Sequence, residues 1–272
     1  MPERINVSDF DLAATLECGQ AFRWQRGVDG WFTGVVGNCT LRVRQVGAIL
    51  EGDVDPRYFA LDVPLTKVVA TFPDDDVLRN AVKTHWGLRV LRQEPWETLA
   101  SFIASSTKQI VQIRQIVAAL ACRFGKGNAF PSVDVIARAS HRELWDCKLG
   151  FRAKYLLAAA RAIDRGEVRL DSLSAMEYER ALEELMKLPG VGEKIAACTL
   201  LFSCGHNEAF PIDVWIERAL RRLYFPGRRV TAKQLHQFTR SHFGPYAGWA
   251  QQYLFFQERT RGRQSLLDAR AK

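Results

Sequence analysis

Two helical patterns meet at Leu188-Pro189-Gly190-Val191-Gly192-Glu193-Lys194, and this junction restricts the fold more than any other stretch. Upstream, Tyr178, Ala181, Leu182, Leu185 and Leu188 recur at helical spacing. Ser174 and Glu177 fit a capping box, and Leu173 with Tyr178 fits a hydrophobic staple, which predicts where that helix starts. Pro189 stops it, because proline lacks an N–H and clashes with the preceding turn. Residues 195–202 are almost all apolar, so a second, buried helix is predicted to begin near Gly192. Gly190 and Gly192 read as positions whose backbone angles other residues resist, and where another backbone can come close. The spacing therefore predicts a helix–hairpin–helix over about residues 178–204. Free N–H groups at the start of its second helix suit a phosphate.

Lys194 stands at the mouth of that buried helix, and Cys198 is one turn further on the same face. Asp213 follows Phe210-Pro211-Ile212 and precedes Val214-Trp215-Ile216, nineteen residues after Lys194. That places it at the N-cap of the next helix, where a carboxylate accepts backbone N–H bonds. A lysine and an aspartate at the starts of consecutive helices can look into one cleft. The plainer alternative is a solvated lysine and a carboxylate that only caps.

Charge is unevenly distributed. The chain carries net +8, and residues 214–272 alone hold twelve Lys or Arg against three Asp or Glu. A basic stretch beside a phosphate-binding hairpin suits a polyanion, although a solvated basic face has the same composition. The six cysteines fall outside any CxxC pair and the histidines form no pair at helical spacing. That argues against a zinc or iron–sulfur site and for free thiols in a reducing cytoplasm. The first residues, MPERINVSDF, lack a signal-peptide core, and no run approaches a membrane span.

Its 272 residues allow one large domain or two smaller ones. Residues 31–36, 40–46 and 48–51 are β-rich runs separated by Gly37-Asn38 and Gly47, which predicts an antiparallel sheet. Leu41 and Val43 alternate with Arg42 and Arg44, so one face is buried. Gly19 lies in a segment read as entering a strand, where a bend, a close backbone approach or a simple turn glycine are all open. Pro64 and residues 74–76 are predicted to open helices, after which the pattern turns purely helical. We place a small sheet domain at residues 1–88 and a helical domain at residues 89–272. Within the second, helices are predicted over residues 95–105, 110–124, 131–139 and 141–147. Others run from the Gly150 turn to residue 164, over 214–223 and 231–243, and beyond residue 244. Phe151-Arg152 beside Gly150 reads as a wedge with a base or phosphate contact, or as a core aromatic with a surface arginine. Gln251 and Phe255 are four apart on one helical face and suit a flat heteroaromatic base, or core packing.

Taken together, LPGVGEK and PIDV resemble the helix–hairpin–helix DNA glycosylases that carry a Gly/Pro-rich loop and an aspartate. Within that superfamily CGQAFRW, LRQEPWETLASFIASS, LGFRAKY and GPYAGWAQ are similar to 8-oxoguanine DNA glycosylase. The resemblance spans about residues 9–256. It implies an α+β fold, with a small N-terminal antiparallel sheet domain packed on a mainly α-helical body. It also implies excision of 8-oxoguanine from duplex DNA through a lysine Schiff base, followed by AP lyase strand cleavage.

By the same resemblance Lys194 matches the catalytic lysine and Asp213 the catalytic aspartate. Gly19 matches the glycine whose carbonyl takes the N7–H of 8-oxoguanine, and Cys198, Gln251 and Phe255 match the base pocket. Phe151 stands at the wedge, and Arg152 at the arginine facing the orphaned cytosine. Gly190 and Gly192 belong to the DNA-binding hairpin. Three positions depart from the pattern. Thr107 begins a Thr-Lys-Gln run where eukaryotic members carry asparagines, Gln112 replaces a second cytosine-contacting arginine, and Trp215 replaces a histidine that follows the aspartate. The first two imply weaker preference for an opposing cytosine; the third alters contacts to the flipped nucleotide's phosphate. The expected partner is damaged double-stranded DNA, bound by a cytoplasmic monomer with no membrane role. No metal or organic cofactor is required, and a structural cation on the hairpin carbonyls is compatible with the turn. Two competing readings are a glycosylase for another damaged purine, working without the lysine, and a non-catalytic helix–hairpin–helix DNA-binding module.

Overall fold

Five antiparallel strands near the N-terminus form one sheet in the order β1-β5-β4-β3-β2. They are β1 (Glu3–Asn6), β2 (Gln25–Arg26), β3 (Phe32–Val36), β4 (Cys39–Val46) and β5 (Ile49–Gly52). The computed structural model describes residues 3–270, with side chains up to residue 262. Arg263, Arg270 and Lys272, counted above in the basic stretch, lie outside the described side chains. The three central strands match the predicted runs to within a residue. Both edge strands escaped notice, because β1 is mostly exposed and polar and β2 has two residues. Val36 pairs with Cys39 and Val46 with Ile49, so both hairpins have two-residue loops. Each places a glycine first, Gly37 at φ 57° and Gly47 at φ 58°, a conformation that two-residue hairpin turns demand. Val43 is fully buried as the alternation predicts, while Arg42 and Arg44 flank the Trp31 ring, each 4.7 Å from its centre.

Helix α1 (Leu12–Glu17) precedes β2 and was not predicted. Its signal was legible: Asp11 caps it by accepting from Ala14 N at 2.8 Å. Gly19 therefore ends a helix rather than entering a strand, and that reading is corrected. Helices α2 (Leu65–Val69) and α3 (Asp76–Thr84) begin after Pro64 and Asp75. Helices α4 (Pro95–Ser105) and α5 (Ile110–Phe124) coincide with the predicted ranges. Next come α6 (Val133–Arg138) and α7 (His141–Leu144), which runs into a π-helical turn at Trp145–Leu149. A 3₁₀ turn at Gly150–Arg152 leads into α8 (Ala153–Asp164). Then follow α9 (Tyr178–Met186), α10 (Glu193–Thr199), α11 (Val214–Tyr224), α12 (Ala232–His242) and α13 (Ala247–Arg270).

The predicted capping box ahead of α9 does not form. Ser174 lies inside a 3₁₀ segment, Leu170–Ala175, and Glu177 itself takes the N-cap position without a side-chain cap bond. That segment is fixed by tertiary packing instead: Leu173 is buried, and its carbonyl bonds His206 Nε2 at 2.9 Å.

Among the described residues, three hydrophobic clusters form the core. One joins the sheet to α1 through residues such as Leu16, Trp24, Val43 and Phe59. A second, the largest, packs α4, α5, α8, α9 and α10. A third unites α3 with α11, α12 and α13, so Leu78 and Ala81 share a core with Ile216, Leu235 and Tyr253. Helix α10 belongs to one helical cluster and α11 to the other. Lys194 at the start of α10 and Ile212 just ahead of α11 line one pocket between these two clusters.

Candidate active site

At the hairpin the two glycines have different jobs. Gly190 has φ 80°, and a Cβ there would lie 2.5 Å from the Tyr155 ring. Its left-handed backbone is as expected, but what approaches it is the Tyr155 side chain rather than another backbone. Gly192 caps α10 at φ −97° and ψ 178°, an extended conformation open to any residue. The expectation that its angles need glycine is corrected. A Cβ on Gly192 would meet nothing within 4 Å, so this side of the α10 N-terminus faces open space. Open space in front of free helix N–H groups is what an approaching phosphate needs.

Lys194 follows in the first turn of α10. Its Nζ donates to Ser105 Oγ at 3.3 Å and lies 4.8 Å from the centre of the Phe102 ring. Both partners belong to α4, the helix packed against α10. Cys198 is buried one turn further on. Burial pushes its thiol up to about 11; Lys194 beside it acts downward and Asp213 upward. Lys194, Cys198 and Asp213 therefore share one electrostatic neighbourhood, as their spacing suggested. Asp213 caps α11, its carboxylate accepting from Ile216 N at 2.8 Å. Among the described residues no ion pair joins Lys194 to Asp213: the first donates to Ser105 and the second accepts from Ile216 N.

Base-pocket candidates converge from distant parts of the chain. Gly19 has φ 97°, and a Cβ on it would meet Ile110 Cδ1 at 2.6 Å and Phe255 Cε1 at 3.4 Å. The backbone around it is pinned by buried Gln20. That amide donates to Thr15 O at 2.9 Å and Arg89 O at 2.7 Å, and accepts from Leu91 N at 2.8 Å. Gln251 is buried, and its Nε2 donates to Pro211 O at 3.0 Å, two residues before Asp213. Its Oε1 is buried and has no hydrogen-bond partner among the described residues. Helix α13 comes this close because Gly248 is bare: a Cβ there would strike Leu201 and Ala209 O.

On the side assigned to the opposite strand, Phe151 is half exposed, as a wedge must be. The plainer alternative placed the aromatic inside and the arginine outside; the structure has them reversed. Arg152 is buried, and its guanidinium lies over the Phe151 ring at 4.2 Å. Thr107 takes one of its bonds, from Nη2 to Oγ1 at 2.6 Å. Gln112 is engaged locally, its Oε1 accepting from Gln109 N at 3.1 Å at the start of α5. Trp215 is half exposed in the first turn of α11.

Residues 4–52 and 56–99 match the N-terminal domain of 8-oxoguanine DNA glycosylase, and residues 100–245 match the HhH-GPD superfamily of base excision DNA repair proteins. The chain belongs to the HhH-GPD superfamily, among the 8-oxoguanine DNA glycosylases. A probable N-glycosylase/DNA lyase of Methanothermobacter thermautotrophicus is 30% identical over 95% of this chain and 96% of its own length. The structure of MBOgg1 with a low-affinity DNA ligand is 34% identical, with a TM-score of 0.90, covering 96% of this chain and 99% of that one. The Clostridium acetobutylicum 8-oxoguanine glycosylase/lyase, solved with double-stranded DNA containing cytosine opposite 8-oxoguanine, is 31% identical. Its TM-score is 0.89, over 96% of this chain and 98% of that one.

In this glycosylase, four site residues were not anticipated from the sequence: Ser105, Phe102, Ile110 and Arg259. Arg259 lies on the α13 face that carries Gln251 and Phe255, one turn on, and its Nη1 donates to Glu17 O at 2.8 Å. Continuing the four-residue spacing would have found it. Ser105 carries no such signal, since its partner Lys194 is 89 residues away.

Proposed function

We propose that Lys194 is the nucleophile and Asp213 the electrostatic partner in a bifunctional 8-oxoguanine DNA glycosylase and AP lyase. A base within a duplex hides its sugar carbon, so it must be flipped out at a cost of about a few kcal/mol. Phe151 fills the vacated stack. Phosphate contacts at the open N-terminus of α10 and along the basic C-terminal stretch offset the cost. The free amine of Lys194 attacks C1′ and the glycosidic bond breaks, its electron pair leaving with the base. The resulting secondary amine opens the sugar to a Schiff base. Loss of a C2′ proton then expels the 3′ phosphate by β-elimination. The Asp213 carboxylate faces the positive charge that develops on the sugar. Guanine presents a bare N7 acceptor and 8-oxoguanine an N7–H donor, so a fixed Gly19 carbonyl favours the second. One mispaired buried group costs about 1–3 kcal/mol, enough to discriminate at a single atom. The buried Gln251 Oε1 takes a further donor of the base, with the Phe255 ring against its face.

The observation that carries this reading is Lys194 in the first turn of α10, lining a pocket with Ile212 while Asp213, the next residue, caps α11. No step needs a metal or an organic cofactor. We further propose that the protein acts as a monomer on chromosomal DNA in the cytoplasm, and that any cation on the hairpin carbonyls is structural. The test is strand cleavage on duplexes carrying 8-oxoguanine, an alkylated purine or no lesion. Cleavage confined to the 8-oxoguanine duplex is expected. Release of the alkylated purine alone, without strand cleavage, would replace this reading with another lesion specificity.

A further inference from the structure

The α4–α5 turn holds two functional side chains at once. Lys108 N donates to Ser105 O at 3.0 Å, closing residues 105–108 into one unit. On one side Ser105 Oγ accepts from Lys194 Nζ at 3.3 Å while donating its own proton to Phe102 O at 2.7 Å. On the other side Arg152 grips the next two residues. Its Nε donates to Ser106 O at 2.7 Å, and its Nη2 bonds both Ser106 O and Thr107 Oγ1. Its Nη1 donates to Leu149 O at 3.1 Å.

An arginine has five N–H donors, and these bonds occupy four. A bidentate contact to a base needs two. Arg152 therefore cannot read the opposite base bidentately while it holds the turn. The turn is also under tension, because Thr107 is β-branched and sits at φ 57°. Such a conformation persists only when its surroundings impose it. Here the imposing group is the Arg152 guanidinium.

We propose that the Ser105–Ser106–Thr107 turn is an interlock between the reader of the opposite strand and the nucleophile. With Arg152 on the turn, the Ser105 hydroxyl keeps the Lys194 amine parked against α4. When Arg152 leaves to engage a base, the turn relaxes and the amine is released toward the sugar. Ser105 and Arg152 act here as positioning residues, and the idea rests on the assignment of Lys194 as nucleophile.

The test is single-turnover excision of 8-oxoguanine opposite cytosine and opposite an abasic residue, with Kd for both duplexes measured in parallel. Wild-type protein should excise faster opposite cytosine. Ser105→Ala should raise the abasic-opposite rate to about the cytosine-opposite rate, roughly a tenfold change for one bidentate contact, while the Kd preference for cytosine stays. Ser105→Thr should restore the wild-type rate difference. Arg152→Ala should lose the preference in rate and in Kd together. An equal fall on both duplexes in Ser105→Ala, or a wild-type rate indifferent to the opposite residue, would overturn the interlock. Absence of any excision by wild-type protein would instead sink the glycosylase reading on which it rests.

Discussion

Asp213 caps α11, and in the mechanism proposed above the same carboxylate serves the sugar; asparagine separates the two. Asparagine caps a helix about as well as aspartate, so the bond to Ile216 N survives in Asp213→Asn while the charge is lost. Thermal melting should stay at wild type and single-turnover excision should fall by about 10²–10³. Asp213→Ala should in addition cost about 1 kcal/mol of stability through the lost cap. Wild-type excision by Asp213→Asn would reduce the residue to a cap. Residue-scale legibility followed sequence distance. The cap at Asp213 and the Lys194–Cys198 face could be read from local spacing. The Ser105 partner could not, because it depends on how α4 packs on α10. The burial of Arg152 was equally invisible, since its guanidinium is held by the Ser106 carbonyl, 46 residues away, and the Thr107 hydroxyl.

Among the elements, the hairpin gives the sharpest contrast. Gly190→Ala forces a methyl into the Tyr155 ring at an unfavourable φ, and should lower stability by about 1–3 kcal/mol. Gly192→Ala meets neither problem, so melting should be unchanged while the added methyl weakens DNA binding. Paired melting curves and DNA titrations decide both. A Gly190→Ala protein that melts like wild type would contradict the close-approach account. Long amphipathic helices such as α4 and α5 were legible, because their apolar period and end signals agree. The missed elements are short or lie at an edge: α1, β1 and β2. The predicted capping box failed for a different reason. Tertiary bonds to Leu173 start a 3₁₀ segment where local preference alone favoured an α-helix.

For the molecule as a whole, the opposite-base side sets a limit on selectivity. Gln112 is spent on the start of α5, and Arg152 can offer the orphaned base at most one bidentate contact, and only by releasing the α4–α5 turn. Single-turnover excision opposite C, T, G and A at fixed salt should favour cytosine by no more than about a hundredfold. Salt is fixed because phosphate contacts vary steeply with it. An advantage of roughly several hundredfold or more would mean that other residues supply the missing contacts. The α+β plan itself was legible, since a β-rich first third gives way to helical periods. The seam between two helical cores was not, because α3 joins α11–α13 across more than a hundred residues of chain. All these assignments turn on covalent attack by the Lys194 amine. The most direct measurement is borohydride trapping on duplex DNA containing 8-oxoguanine, comparing wild-type protein with Lys194→Gln at equal occupancy of DNA. The account predicts a covalent protein–DNA adduct and strand cleavage for wild type, and neither for Lys194→Gln, which still binds the duplex. Adduct formed by Lys194→Gln at the wild-type level would contradict it.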